Sequence, residues 1–268
     1  MIDIGANLAD ASFDADRPDV LDRAWSAGVE HIVLTGSSAF SNRRVQEIIG
    51  LAPSRLSATA GLHPHYASEW TPALGDDIHA LANAHRLVAV GECGLDYFRD
   101  LSDRGAQRRA FIEQLAIAVE HGLPVFLHQR DAHADFVAVL REYRASLVDC
   151  VVHCFTDTAD ALADYLSLDC HIGITGWICD ERRGQHLLDC VGSIPPQRLM
   201  IETDAPYLLP RTIRPRPKSR RNEPMHLGVV ADAVAAARDE SVEMLRSATS
   251  ANARRFYRLP ETPEPAGR

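Results

Sequence analysis

Along this chain, short β-branched apolar runs alternate with longer amphipathic segments. The runs fall near residues 1–8, 31–37, 56–63, 87–95, 124–129, 149–155, 170–176 and 199–204, and read as strands buried on both faces of a parallel sheet. Between them, DRPDVLDRAWSAG, DRGAQRRAFIEQLAIAVEHG and TADALADYLSL repeat apolar residues at intervals of three and four, as helices packed on a sheet do. Gly28 and Gly122 stand where such helices stop, and Pro124 opens a run, where its missing N–H is tolerated. Eight such units in 268 residues fit a (β/α)8 barrel or an open doubly wound sheet, which share every local signal.

The polar residues ending these runs separate the two. Glu92 (LVAVGECGLD), His128 (PVFLHQRD), His153 (CVVHCF) and Asp204 (LMIETDAP) each follow an apolar run, as do His63 and His65 (AGLHPHYA). Strands one, three, four, five, six and eight all end this way, and only a closed sheet brings so many ends to one point. A single α/β TIM barrel spanning 1–268 is therefore predicted, with its site at the C-terminal rim. Two helices near 225–238 and 241–257 follow the eighth strand, and about 259–268, ending in ETPEPAGR, is expected to be a disordered tail.

Composition, 46% hydrophobic and 24% charged, is that of a globular protein without a membrane span. The first residues lack a basic stretch followed by an apolar one, so no secretory signal is expected and the cytoplasm is the expected location. Six scattered cysteines without a CxxC pair argue against a disulfide framework or a structural zinc site.

A net charge of −9 speaks against coating nucleic acid by bulk attraction. Its distribution changes that picture. Between Asp204 and Glu223 there is no acidic residue, while Arg211, Arg214, Arg216, Lys218, Arg220 and Arg221 crowd a loop stiffened by Pro210, Pro215 and Pro217. Guanidinium groups match phosphate in bidentate geometry, so Arg211, Arg220 and Arg221, with His65, are candidate substrate-binding residues. The plain alternative is a solvated charged surface.

A carboxylate ending an apolar strand must be paired or metal-bound. For Glu92 the pairing candidates are Arg99 and Arg130, and the flanking Gly91 and Gly94 are expected to admit a metal or substrate closely. With His128 and His153 on consecutive strands and Asp204 on the eighth, the metal reading is favoured, the ligands being Glu92, His128, His153 and Asp204. Asp204 can orient an attacking water and accept its proton, while His63 is the better placed of its pair to meet a metal or a phosphate oxygen. Catalysis is thus assigned to Asp204, Glu92 and His63. Glu202 points to the same side as Asp204 and is expected behind the ligands. Tyr66, Trp70, Tyr97, Phe98 and Tyr207 are near enough to the rim to stack on bases. Two imidazoles suit Mn²⁺, Co²⁺ or Zn²⁺ better than Mg²⁺.

From MIDIGANL to about Tyr257, the segments GLHPH, GECGLD, HCF, GITGWICDERRG, ETDAPYLLP and SRRNEPMHL together resemble the TatD family of metal-dependent deoxyribonucleases, within the amidohydrolase-like barrels. The chain is most similar to the bacterial TatD branch. The resemblance implies a 3′→5′ exonuclease acting on single-stranded DNA and RNA with a divalent cation, Mg²⁺ in the family. It also implies Glu92, His128 and His153 as metal ligands, Asp204 as the catalytic or metal-binding aspartate of strand eight, and His63 near the substrate phosphate. One departure stands out: many members carry a His-x-His pair after the strand-one aspartate, whereas Asp3 is followed here by Gly5 and Asn7. One metal position should then lean on substrate and water. Two readings compete: a barrel hydrolase of a small ester, lactone, amide or aminoacyl-tRNA, and a degenerate barrel that binds nucleic acid without cleaving it. A monomer without a membrane partner is expected.

Overall fold

The structure is a computed structural model and describes residues 1–260. Eight parallel strands follow one another in chain order: β1 (Ile2–Ala6), β2 (His31–Leu34), β3 (Leu56–Ala60), β4 (Ala89–Asp96), β5 (Val125–Arg130), β6 (Cys150–Val152), β7 (His171–Ile174) and β8 (Leu199–Ile201). The sheet closes beyond the last ladder. The Asp204 amide donates to the Gly5 carbonyl at 2.9 Å, and the Asn7 amide to the Ala205 carbonyl at 2.7 Å. This is the barrel that the polar strand ends demanded, and the open sheet is excluded.

The helices begin and stop for local reasons. Asp103 accepts the Ala106 amide at 3.0 Å to start helix Arg104–His121, and Gly122, at φ +58°, ends it in the left-handed conformation. Thr158 and Ser241 cap helices Ala159–Ser167 and Val242–Tyr257 in the same way. Among the described residues, no helix is long and apolar enough to cross a membrane.

Strand side chains alternate, and this parity builds the site. Ile4, Val33, Phe126, Val151 and Met200 face inward and fill the barrel. Two residues further along, the same inward face carries His128 above Phe126, His153 above Val151 and Glu202 above Met200. The floor is closed by Phe256, Tyr257 and Leu259, which pack on the same inner cluster. Leu259 is thus part of the core and not of a disordered tail; the tail beyond Pro260 lies outside the described residues.

The strands are shorter than the apolar runs suggested. His63, His153 and Asp204 lie just past the ends of their ladders, where Cys154 (φ +46°) and Asp204 (φ +53°) enter the left-handed region and the backbone leaves the sheet. The role of the glycines around Glu92 also differs from expectation. A Cβ on Gly91 would meet the Phe126 carbonyl oxygen at 2.2 Å, and one on Gly94 the His128 carbonyl oxygen at 1.9 Å. They admit the backbone of β5, not a ligand, and so bring His128 against Glu92. Gly94→Ala, which must add its methyl at φ +147°, is expected to destabilise the fold by about 3 kcal/mol. Thermal unfolding should fall by roughly 6–12 °C; an unchanged midpoint would show that β5 is free to retreat.

Candidate metal centre at the rim

Glu92 sits at the centre of the rim, 6% exposed. Its Oε1 lies 2.8 Å from His153 Nε2, 3.1 Å from His128 Nδ1 and 3.3 Å from His63 Nε2. Neither Arg99 nor Arg130 pairs with it among the described residues, so the bland ion-pair alternative fails. Burial by itself pushes the Glu92 carboxyl up, but His63, His153 and His128 outweigh it and hold the group well below its ordinary range. His63 shows the opposite balance: burial dominates over the Glu92 charge and lowers its imidazole to about 4. Burial also pulls His153 down, and here the Glu92 and Glu202 charges win and raise it well above its usual value.

A second carboxylate, not singled out from the sequence, extends this cluster. Asp96, four residues beyond Glu92 on β4, lies 2.9 Å from His65 Nε2 and 3.1 Å from His128 Nε2, and accepts the Arg99 amide at 2.7 Å. Its signal was present in GECGLD, since residues four apart on one strand share a face. His65 is thereby held against Asp96. His63, which the sequence left between metal and phosphate, packs edge-on against His128 with ring centroids 4.4 Å apart and belongs to the cluster around Glu92.

Asp204 stands slightly apart. Its Oδ1 accepts from Asn7 Nδ2 at 2.8 Å, and among the described residues it makes no hydrogen bond to the imidazoles. Burial pushes its carboxyl up to about 8, with His153 opposing and the Glu92 and Glu202 charges reinforcing. Asn7, at one of the two positions where the strand-one histidines are absent, therefore positions the strand-eight aspartate. The other position, Gly5, leaves room for Glu202: a Cβ there would meet Glu202 Oε2 at 2.5 Å, and one on Gly173 would meet Oε1 at 2.7 Å. Glu202 is 0% exposed; its Oε1 accepts the Cys154 amide at 2.6 Å, and Oε2 faces His153 Nδ1 at 3.4 Å.

These residues suit a divalent cation. His63, Glu92 and His128 each offer a donor atom, all within 4.8 Å of one another, and His153 adjoins them through Glu92. Among the described residues, His153 Nδ1 and Glu202 Oε2 face only each other, at 3.4 Å, and neither makes a hydrogen bond; the buried Glu92 and Glu202 and the half-buried Asp204 bring three carboxylates together. A cation offsets that accumulated negative charge.

The loop arginines divide. Arg221 is clamped to Asp16 at 2.7 Å and to Glu223 at 2.8 Å, with its guanidinium 4.8 Å from the Phe13 ring centroid. It ties the loop's end to the N-terminal segment, which leaves no free guanidinium for a phosphate. Arg211 is paired with Glu181 at 2.9 Å. Arg220 has no ion pair among the described residues and lines a groove of about 1010 Å³ between the loops after β7 and β8, together with Arg216 and Lys218.

Fold and rim define the class of barrel that gathers carboxylates and imidazoles able to hold a divalent cation, here with a cationic groove beside them. Comparison with known proteins narrows the class. The family described as TatD related DNase matches residues 2–258. A protein of Pantoea vagans named 3′-5′ ssDNA/RNA exonuclease TatD is 48% identical over 97% of this chain and 100% of its own length, and its Erwinia billingiae counterpart is 47% identical over the same shares. Among solved structures, a TatD family hydrolase of Entamoeba histolytica superposes with a TM-score of 0.88 at 27% identity, covering 97% of this chain and 98% of its own. A TatD homologue of Escherichia coli K12 gives 0.88 at 26% over the same shares. The chain belongs to the TatD-related DNase family.

Two outcomes follow from the buried carboxylates. Glu202→Gln should weaken Mn²⁺ binding, read by calorimetry, about 10- to 100-fold, with the circular dichroism unchanged; undiminished affinity would remove Glu202 from the support of His153. Asp3 is fully buried against Thr203, and burial, helped by the Glu202 charge and opposed by hydrogen bonds from Thr203 and Gly5, raises its carboxyl to about 7. With its native pKa above the unfolded one, Asp3 stabilises the fold fully below pH ~4, and this contribution disappears as pH rises through about 7. Urea unfolding of Asp3→Asn should accordingly be flatter than wild type between those limits; parallel profiles would refute the shift.

Proposed function

We propose that this chain is a divalent-metal-dependent 3′→5′ exonuclease acting on single-stranded DNA and RNA. One observation carries the reading: the buried Glu92 carboxylate ringed by His63, His128 and His153, beside a groove whose Arg216, Lys218 and Arg220 are unpaired among the described residues. The names of the curated relatives point to the same activity and polarity.

A bound divalent cation supplies positive charge for a phosphate oxygen and acidifies water. Glu92, His128 and His153 would hold it, with His63 as an adjoining donor. Three imidazoles support Mn²⁺ or Zn²⁺, with Mg²⁺ as the oxygen-seeking competitor implied by the resemblance. Asp204, steered by Asn7, orients the attacking water and takes its proton in its ionised form, which a bound cation favours against the burial that otherwise raises this carboxyl to about 8. As the water oxygen joins phosphorus, the P–O bond to the departing group opens. His65, steadied by Asp96, faces the substrate side of the cluster, and Arg220 with its neighbours meets the phosphates of the remaining strand.

We take a monomer as the working unit. Six free cysteines fit a reducing, cytoplasmic setting. A neutral pocket would have suited the small-ester or amide hydrolase, and the cationic groove weighs against it.

The test is single-stranded DNA labelled separately at each end, incubated with Mg²⁺, Mn²⁺ or chelator. Stepwise loss from the 3′ end that requires metal is expected, and Glu92→Ala should lower the rate by more than about a hundredfold. Absence of cleavage with every metal would return the assignment to the small-substrate hydrolase.

A further inference from the structure

The exposed aromatic side chains among the described residues are not scattered. Phe98 stands two residues past β4, and Phe40, Tyr66 and Tyr207 each six residues past the C-terminal ends of β2, β3 and β8. Large exposed rings gathered on one face mark a binding surface, and bases stack on such rings whatever their sequence.

One of the four is joined to a stack. The Arg130 guanidinium lies 4.0 Å from the Phe98 ring centroid and 5.5 Å from that of Trp177, whose ring also carries Arg183 at 4.5 Å. Arg130 is the next position on the same face of β5 after His128, so this stack begins two residues beyond the cluster. Although acidic residues outnumber basic ones, 37 to 28, Arg130 has no ion pair among the described residues. Its planar cation serves aromatic faces alone. Phe98 remains 53% exposed.

The far end of the stack opens into the cationic groove, which Trp177 and Arg183 help to line. There the loops after β7 and β8 are pressed together, because a Cβ on Gly176 would meet the Leu208 carbonyl oxygen at 2.2 Å. The other aromatics near the rim are differently engaged. Tyr97 donates to Asp135 at 2.8 Å and lies under Arg104, and Trp70 packs against the core.

We propose that Phe98, Arg130 and Trp177 form a stacking ladder for the nucleobases on the 5′ side of the scissile phosphodiester, with the adjoining Arg216, Lys218 and Arg220 receiving their phosphates. This assignment rests on the exonuclease reading and adds to it the path by which the uncleaved strand leaves the metal centre. The ladder accepts any base, since stacking reads the π-face and not the base edge.

The experiment is a chemical double-mutant cycle. Wild type, Phe98→Ala and Trp177→Ala are compared on an intact DNA octamer and on one from which the three bases 5′ of the terminal nucleotide have been removed, leaving the phosphates. Wild type should lose about tenfold in kcat/KM on the abasic strand. Each alanine variant should lose roughly as much on the intact strand and little more on the abasic one, while Phe98→Tyr and Trp177→Phe keep most of the wild-type rate. Wild-type rates for the alanine variants on the intact strand would overturn the ladder, as would equal losses on both strands, which mark a structural role; either result leaves the exonuclease reading standing. Failure of wild type to cleave the intact octamer would overturn that reading, and the ladder with it.

Discussion

A charged carboxylate buried at the rim of a barrel is the constraint around which this molecule is arranged. Glu92 is nearly sealed from water, and a carboxylate so placed must be compensated by cations or protons nearby. The barrel supplies them from three other strands: His63 past β3, His128 on β5 and His153 past β6. His128 arrives by strand parity two positions beyond Phe126, His153 at the first position past its strand, and His63 in the turn three residues past β3. Two glycines on β4 then remove the side chains that would hold β5 away. Packing, register and charge compensation thus meet at one atom, Glu92 Oε1.

The absence of strand-one histidines reads differently once the neighbours are in view. Gly5 is required sterically, because the Glu202 carboxylate occupies the space a side chain would take. Asn7 is required for hydrogen bonding, because it steers Asp204. On this side the centre is therefore bounded by the Glu202 carboxylate beside Gly5 and by the Asn7 amide. Asp3, buried against Thr203, ties the beginning of the ring to its end.

Above the centre, the rim has two unlike halves. The loops after β2, β3 and β4 present aromatic rings, while those after β7 and β8, which also carry Trp177 and Tyr207, present guanidinium and ammonium groups. Arg130, from β5, stands between the halves and contacts both. A single nucleic acid strand has the matching pair of faces, apolar bases on one side and phosphates on the other. Arg221 and Arg211, drawn to Asp16, Glu223 and Glu181, shape the loop that carries Arg216, Lys218 and Arg220, which are unpaired among the described residues.

The sequence by itself predicted the barrel, its eight strands and the gathering of Glu92, His128, His153 and Asp204 at one rim, with His63 nearby, because apolar periodicity and the positions of polar residues at strand ends are local properties that closure of the sheet turns into proximity; the structure sets Asp204 slightly apart and draws His63 against Glu92. Tertiary structure alone decided what depends on distances between segments remote in sequence. It separated Arg220, open to the groove, from Arg221, clamped across the loop, although the two are adjacent and chemically identical. It showed that the glycines beside Glu92 serve a neighbouring strand, that Asp96 joins the imidazoles, and that Leu259 is core. A charge run carries no record of which acid each base will find, and an aromatic residue none of which cation will cover its face. Those pairings exist only after the strands have brought their loops together.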